Sequence, residues 1–302
     1  MHVRIQKSRK RWRRFKIQRS KLCIWASPAG IKARHHSSMR ARIVALSLCL
    51  FAFGWTAAAQ VPVINTGGIG SAAGLGNTLT VAPGSIISIF GTSLASGLSL
   101  AGSATLSTSL GDVNSVMING IPAPLQFVSD QQINAQAPWE LSAGQATVVV
   151  TRGGVASMAV AAQVGQFAPA LYGFHLGNAQ AIAVNTDSSV TAPVGSIQGV
   201  DCRPATSGDT VLFYASGLGP VDNPPSDGSN SLDALRTTTS PLMMMIGGAP
   251  AQVSFSGLSP QFAGIYQVNA VIPPNVTTGD AVPIQLMIGG VTSADMLTIA
   301  LR

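Results

Sequence analysis

QINAQAPWEL, residues 132–141, and QVNAVIPPNV, residues 267–276, are nearly the same phrase written twice in one chain. In an extended strand Gln132, Asn134 and Gln136 share one face, while Ile133, Ala135 and Ala137 share the other. The second copy sets Val268, Ala270 and Ile272 on an apolar face, with Gln267 and Asn269 opposite. The phrase therefore reads as one half-buried strand used twice. Asn134 and Asn269 read as repeated structural polar groups that bond a neighbouring strand or loop, with a polar ligand ladder as the alternative.

The echo extends outward on both sides. PGSIISIFGTSL (83–94) aligns with SGDTVLFYASGL (207–218), and VMINGIPA (116–123) with MMIGGAPA (244–251). After the doubled phrase, Arg152-Gly153-Gly154-Val155 matches Ile288-Gly289-Gly290-Val291. Four blocks in one order mark an internal repeat. Asn119-Gly120, Gly247-Gly248, Gly153-Gly154 and Gly289-Gly290 are the dipeptides favoured by two-residue hairpins, in which both central residues take positive φ. Gly84 and Gly208 each open an ascending strand from a turn. Short β-type runs fill the rest: SIISIFG (85–91), PLQFV (124–128), QATVVVT (145–151), DTVLFYA (209–215), AQVSF (251–255), GIYQVNAVI (264–272) and VPIQLMI (282–288). Such spacing without sustained 3.6-residue periodicity predicts an all-β fold of two tandem β-sandwiches, over 79–166 and 167–302. The second carries an insertion near 220–240.

Charge divides the chain elsewhere. Of 18 Lys and Arg, 14 lie at or before Arg42, and all 11 acids lie beyond it, so the body carries four cations against eleven anions, a net −7. The basic isoelectric point belongs to residues 1–38, a basic extension consistent with an over-long start, and gives no nucleic-acid signature to the body. Met39-Arg-Ala-Arg42 is a short positive segment, IVALSLCLFAF (43–53) an apolar one, and Ala57-Ala58-Ala59 a cleavage signal before Gln60. The pattern predicts a signal peptide over 39–59 and a product secreted or held in the cell envelope. An uncleaved anchor is the alternative, although a bilayer span takes about 20 apolar residues. The product would have no membrane span. Cleavage would leave Cys202 as the sole cysteine, so no internal disulfide could form. Residues 60–78 are Gly-rich and read as a loose leader. The dinucleotide-like Gly68-Ile69-Gly70 within them lacks a preceding strand and a following helix.

PGSIISIFGTSLA, INGIPAPLQFVSDQQINAQAPWEL, GDTVLFYASGLGPV and GLSPQFAGIYQVNAVIP with GDAVPIQLMIGGVTS resemble the Solibacter-type C-terminal domain family, which is built of Ig-like, IPT/TIG-like units in exported acidobacterial proteins. The resemblance covers about residues 80–302. It implies an extracellular or envelope module and supplies no catalytic residues. Ser207 stands where the first copy has Pro83, a departure from the repeated turn.

Chemistry-bearing residues are few. Beyond residue 59 the chain has one His (His175), one Cys (Cys202) and one Glu (Glu140). That excludes a zinc site of the usual ligand types and leaves a hydrolase only the unsupported pieces His175 or Cys202, with no G-x-S-x-G elbow. No cofactor is expected. Asp222, Asp227 and Asp233 form the only oxygen-rich cluster, a candidate weak calcium site against the default of a solvated Pro/Gly loop. Trp139, followed by Glu140, is the only tryptophan after residue 55. It reads either as a ligand-contacting ring, with Glu140 and Gln136 at its side, or as a plug over the end of a sandwich core. The run Met243-Met244-Met245 reads as filler of irregular core space. These features point to a non-catalytic exported module for adhesion, assembly or protein interaction. The alternative is a carbohydrate-binding module built on Trp139. The partner would be an extracellular or envelope protein or polysaccharide.

Overall fold

The computed structural model describes residues 60–74, 78–174 and 179–302. The basic extension, the signal-peptide pattern and His175 lie outside them. Residues 57–302 form a compact unit of their own, which holds every described strand and both cores. Among the described residues there is no α-helix, and no helix long and apolar enough to cross a membrane.

Two tandem sandwiches make up the unit. In the first, one sheet contains β1 (Val63–Ser71), β2 (Ile86–Thr92), β4 (Leu125–Val128) and β5 (Gln132–Gln136), and the facing sheet contains β3 (Val113–Ile118), β6 (Gly144–Arg152) and β7 (Val160–Val164). In the second, β8 (Thr210–Ser216), β11 (Tyr266–Val271), β10 (Ala249–Leu258), β9 (Leu242–Ile246) and β12 (Gly279–Ile288) follow one another through the hydrogen-bonded ladder. A last strand, β13 (Leu297–Leu301), pairs with β12. The long β10 bends between the sheets: its first residues pair with β9 and its remainder with β11. Each sandwich closes its own core. Ile87, Ile89, Val116, Ile133 and Val148 lie in the first; Val211, Phe213, Val268, Leu286 and Ile299 lie in the second. Alternation along the strands puts these side chains inward at every second residue, and full burial of each is worth about 1.5–3 kcal/mol.

The repeat is written into the geometry. Asn119 and Gly120 have φ of 48° and 78°, and Gly247 and Gly248 have 58° and 80°, the two-residue turn that both dipeptides predict. After the second pair of hairpins, Ser157 Oγ accepts from Val150 N–H at 3.0 Å and Ser293 Oγ from Leu286 N–H at 3.1 Å, the same seven-residue bridge twice. In both sandwiches a β-bulge falls opposite the doubled phrase, between Leu125 and Phe127 and between Val253 and Phe255. Phe127 pairs with Asn134 and Phe255 with Asn269. Gln132 Nε2 donates to Asn134 Oδ1 at 2.8 Å, and Gln267 Nε2 to Asn269 Oδ1 at 3.0 Å. Ser88 of the adjacent β2 adds a bond to Asn134 at 2.9 Å, whereas its counterpart Leu212 has no hydroxyl to offer. The repeated Asn thus fixes the strand beside a bulge.

Two readings of the sequence need correction. Residues 63–71 are not a loose leader but β1, a nine-residue strand paired with β2. Buried Ile64 and Ile69 anchor it, and a register shift between them takes up the glycines that disguised the pattern. Nor does the run 243–245 fill the core as a block: Met244 is buried, while Met243 and Met245 are 58% and 36% exposed. A strand alternates faces, so adjacent residues cannot share a core.

Candidate functional site

The doubled phrase diverges at Gln136, Trp139 and Glu140, where the second copy has Val271, Pro274 and Asn275. The structure brings all three to one junction. The loop between β8 and β9 folds back from the second sandwich onto the first and lays Asp227-Gly228 across the end of β5. Gly228 N–H donates to Gln136 Oε1 at 2.6 Å. Gln136, fully buried, donates in turn to Gly84 O at 3.1 Å. Leu106 N–H of the first sandwich closes the contact on Gly228 O at 2.8 Å. A side chain at residue 228 would meet Leu106 O at 2.5 Å and would sit on a backbone with φ of 77°, so the approach requires glycine.

Trp139 belongs in sequence to the first sandwich but packs against the core of the second. Its six-membered ring lies on Gly84, where an added Cβ would be 2.2 Å from the ring carbons. Its backbone N–H donates to Asp227 Oδ1 at 3.1 Å. The ring is therefore a plug, and the place it plugs is the junction of two sandwiches, not the open end of one. Glu140 is exposed beside it, and its carboxyl meets that of Asp227. Half-burial holds Asp227 above the ordinary carboxylate value; the Trp139 N–H pulls the other way, and Glu140 pushes the value up further.

The three aspartates of the insertion do not converge. Asp222 accepts from Thr237 N–H and Oγ1, and Asp227 turns to Trp139. Asp233 accepts from both terminal guanidinium nitrogens of buried Arg236, at 2.8 and 3.0 Å. Arg236 Nε also donates to Asn223 O at 2.7 Å, so one guanidinium ties the loop together. Hydrogen bonding to Arg236 draws Asp233 down to about 2. Among the described residues no three His, Cys, Asp or Glu side chains are grouped to hold a metal ion. Cys202 is buried, with Sγ 3.5 Å from Val200 O.

Between insertion and first sandwich a cleft of about 410 Å³ remains, lined chiefly by Pro83, Trp139, Leu141, Pro220, Val221 and Pro224. Its wall is aromatic, aliphatic and proline, with Ser142 and Gln166 as polar members. Sequence reasoning found Trp139 and Glu140 because they break the repeat. It missed the partners, which lie 88 and 92 residues on from Trp139 and Gln136 and carry no local mark beyond the Asp-Gly pair.

Residues 75–166 match the IPT/TIG domain. The first sandwich is thus similar to that domain, and its fold is Ig-like. No curated protein matches the chain. Among solved structures, SGBP-B of the Bacteroides ovatus mixed-linkage glucan utilization locus, in complex with a mixed-linkage heptasaccharide, is 11% identical at a TM-score of 0.31, covering 74% of this chain and 43% of its own. SGBP-B from a complex xyloglucan utilization locus in Bacteroides uniformis is 11% identical at 0.24, covering 80% and 50%. Domains 5–6 of the S-layer protein SbsC are 11% identical at 0.25, covering 80% and 98%. The chain thus spans half or less of the two SGBP-B chains. At these scores none of the three carries a ligand or a role across to this protein.

Proposed function

We propose that the chain is a non-catalytic Ig-like module, exported to the cell envelope, that holds a partner protein at the junction of its two sandwiches. The observation that carries this is the preformed cleft around Trp139. Its scarce polar groups and fixed proline wall suit an apolar protein segment better than a reactive substrate. Because the insertion is bonded to both sides, the cleft is built before any partner arrives, which lowers the ordering cost of binding. The Met39–Ala59 pattern supports export with cleavage before Gln60, and the resemblance over residues 80–302 supports kinship with the Solibacter-type family.

The test uses residues 57–302 as bait in an envelope extract, beside Ser142→Trp. Ser142 is exposed on the rim, so the indole fills the cleft without removing a structural contact. The expected result is a protein captured by the parent and lost by the variant. Capture indifferent to the Ser142→Trp change would overturn the cleft as the site. A Trp139 emission shift on adding envelope or plant polysaccharide would favour the carbohydrate reading instead. N-terminal sequencing of the fractionated product tests export, with a start near Gln60 expected and a cytoplasmic chain starting near Met1 contradicting it.

A further inference from the structure

The methionine run separates two faces of one sheet. Met244 enters the core, and Met243 and Met245 emerge on the outer face of β9. Across the ladder Met243 stands directly opposite Met287 of β12, which is partly exposed on the same face. Met245 stands two residues along, opposite Gln285 and, on its other flank, Pro250. Three thioethers therefore share one small patch.

The first sandwich shows what this scaffold position ordinarily holds. There the residues corresponding to Met243 and Met287 are Ser115 and Thr151, likewise paired across two antiparallel strands. A hydroxyl pair suits a solvated sheet face. The second sandwich replaces it with a thioether pair, and hydration gives no reason for the change.

Chemistry does. Residues directly opposite in an antiparallel pair have Cβ atoms about 4.5–5.5 Å apart, and an unbranched Met side chain is long and flexible enough to bring its sulfur to a shared point. Thioethers are neutral, soft ligands and select Cu(I) over hard cations and over ions that prefer imidazole or carboxylate. Among the described residues no cation competes for the patch: Arg152, Arg203, Arg236 and Arg302 are each paired with aspartates elsewhere. The net charge of −7 over the body also favours a positive ion.

We propose that Met243, Met245 and Met287 form a surface site for a soft monovalent metal ion, Cu(I). The site is separate from the Trp139 junction and stands or falls without it.

The experiment offers Cu(I), under anaerobic conditions, to residues 57–302 in competition with a colorimetric Cu(I) chelator. One Cu(I) per chain should be withdrawn from the chelator. Met243→Leu and Met287→Leu keep volume and fold, and each should weaken binding at least about tenfold, a floor set by what even outer-sphere partners contribute to metal affinity. Met158→Leu removes an exposed thioether far from the patch in sequence and should change nothing. Cys202→Ser should also leave binding intact, since that thiol is buried. Failure of the parent to compete would overturn the proposal. So would undiminished binding by the Met243→Leu/Met287→Leu double variant, or loss of binding on Cys202→Ser.

Discussion

The two sandwiches share a plan and part company at the end of one strand. Through Gln132-Ile133-Asn134-Ala135 and Gln267-Val268-Asn269-Ala270 they match in register, bulge and hydrogen bond. Beyond that point the first copy carries Gln136, Trp139 and Glu140, and the second Val271, Pro274 and Asn275. Gln136, Trp139 and Glu140 of the first copy all meet the insertion of the second. Where two copies of one fold agree, the shared residues build the fold. Where they disagree, the difference records a contact that only one of them makes.

Exchanging features between the copies should break this asymmetry unevenly. Trp139→Ala removes a large ring wedged between Gly84 and the second core and should cost about 3 kcal/mol in denaturant unfolding, the low end for aromatic truncation because the ring is only partly buried. Pro274→Ala at the matching position should stay within about 0.5 kcal/mol. Gly84 and Gly208 both hold positive φ, 75° and 88°, yet only Gly84 would drive a new Cβ into a neighbour, since nothing lies within 4 Å of Gly208. Gly84→Ala should therefore cost about 2–3 kcal/mol and Gly208→Ala about 1, measured as the shift in unfolding free energy. Gln136→Val, which imports the second copy's residue, leaves the Gly228 N–H and the Gly84 carbonyl without their partner. A loss of about 1–2 kcal/mol is expected, against a near-neutral Val271→Gln.

The smallest effect is a dependence on pH. Asp227 is held above the ordinary carboxylate value in the docked state, first by burial and then by Glu140. A raised value means that docking favours the protonated form, so this contribution is present in acid and is lost as pH rises through the raised value. Asp187 and Asp233, drawn down to about 2 by their hydrogen-bond partners, work in the opposite sense and lose their contribution only in stronger acid. Trp139 emission in residues 57–302 isolates the junction from them. It should report a tighter insertion in acid, below the ordinary carboxylate value, than at neutral pH, and Asp227→Asn should flatten the curve. A dependence unchanged in that variant would assign it elsewhere.

Much of the fold was legible because its signals are local. Paired turn residues such as Asn119-Gly120 and Gly289-Gly290 set their own φ, and β-type runs such as DTVLFYA need only alternation to declare a strand. β1 was hidden because glycines dilute its two anchors, Ile64 and Ile69. The Met run misled because three identical neighbours invite one reading, although a strand must split them. The junction was legible on one side only. Trp139 and Glu140 stood out against the repeat, but Asp227 and Gly228 reach them through chain topology, which no window of residues encodes. The partners of Asp222 and Asp233 were equally invisible: Thr237 and Arg236 satisfy these carboxylates, whose spacing alone suggested a shared ion.

The insertion clamps the two sandwiches together through backbone bonds, and native-state hydrogen exchange reads those bonds directly. The Gly228 amide bonds Gln136 and the Leu106 amide bonds Gly228, both across the junction. In residues 57–302 both should exchange as slowly as the strand amides of Asn134 and Asn269. Exchange of Gly228 and Leu106 at the rate of a free loop, with the strand amides still protected, would mean that the insertion does not hold the two sandwiches together.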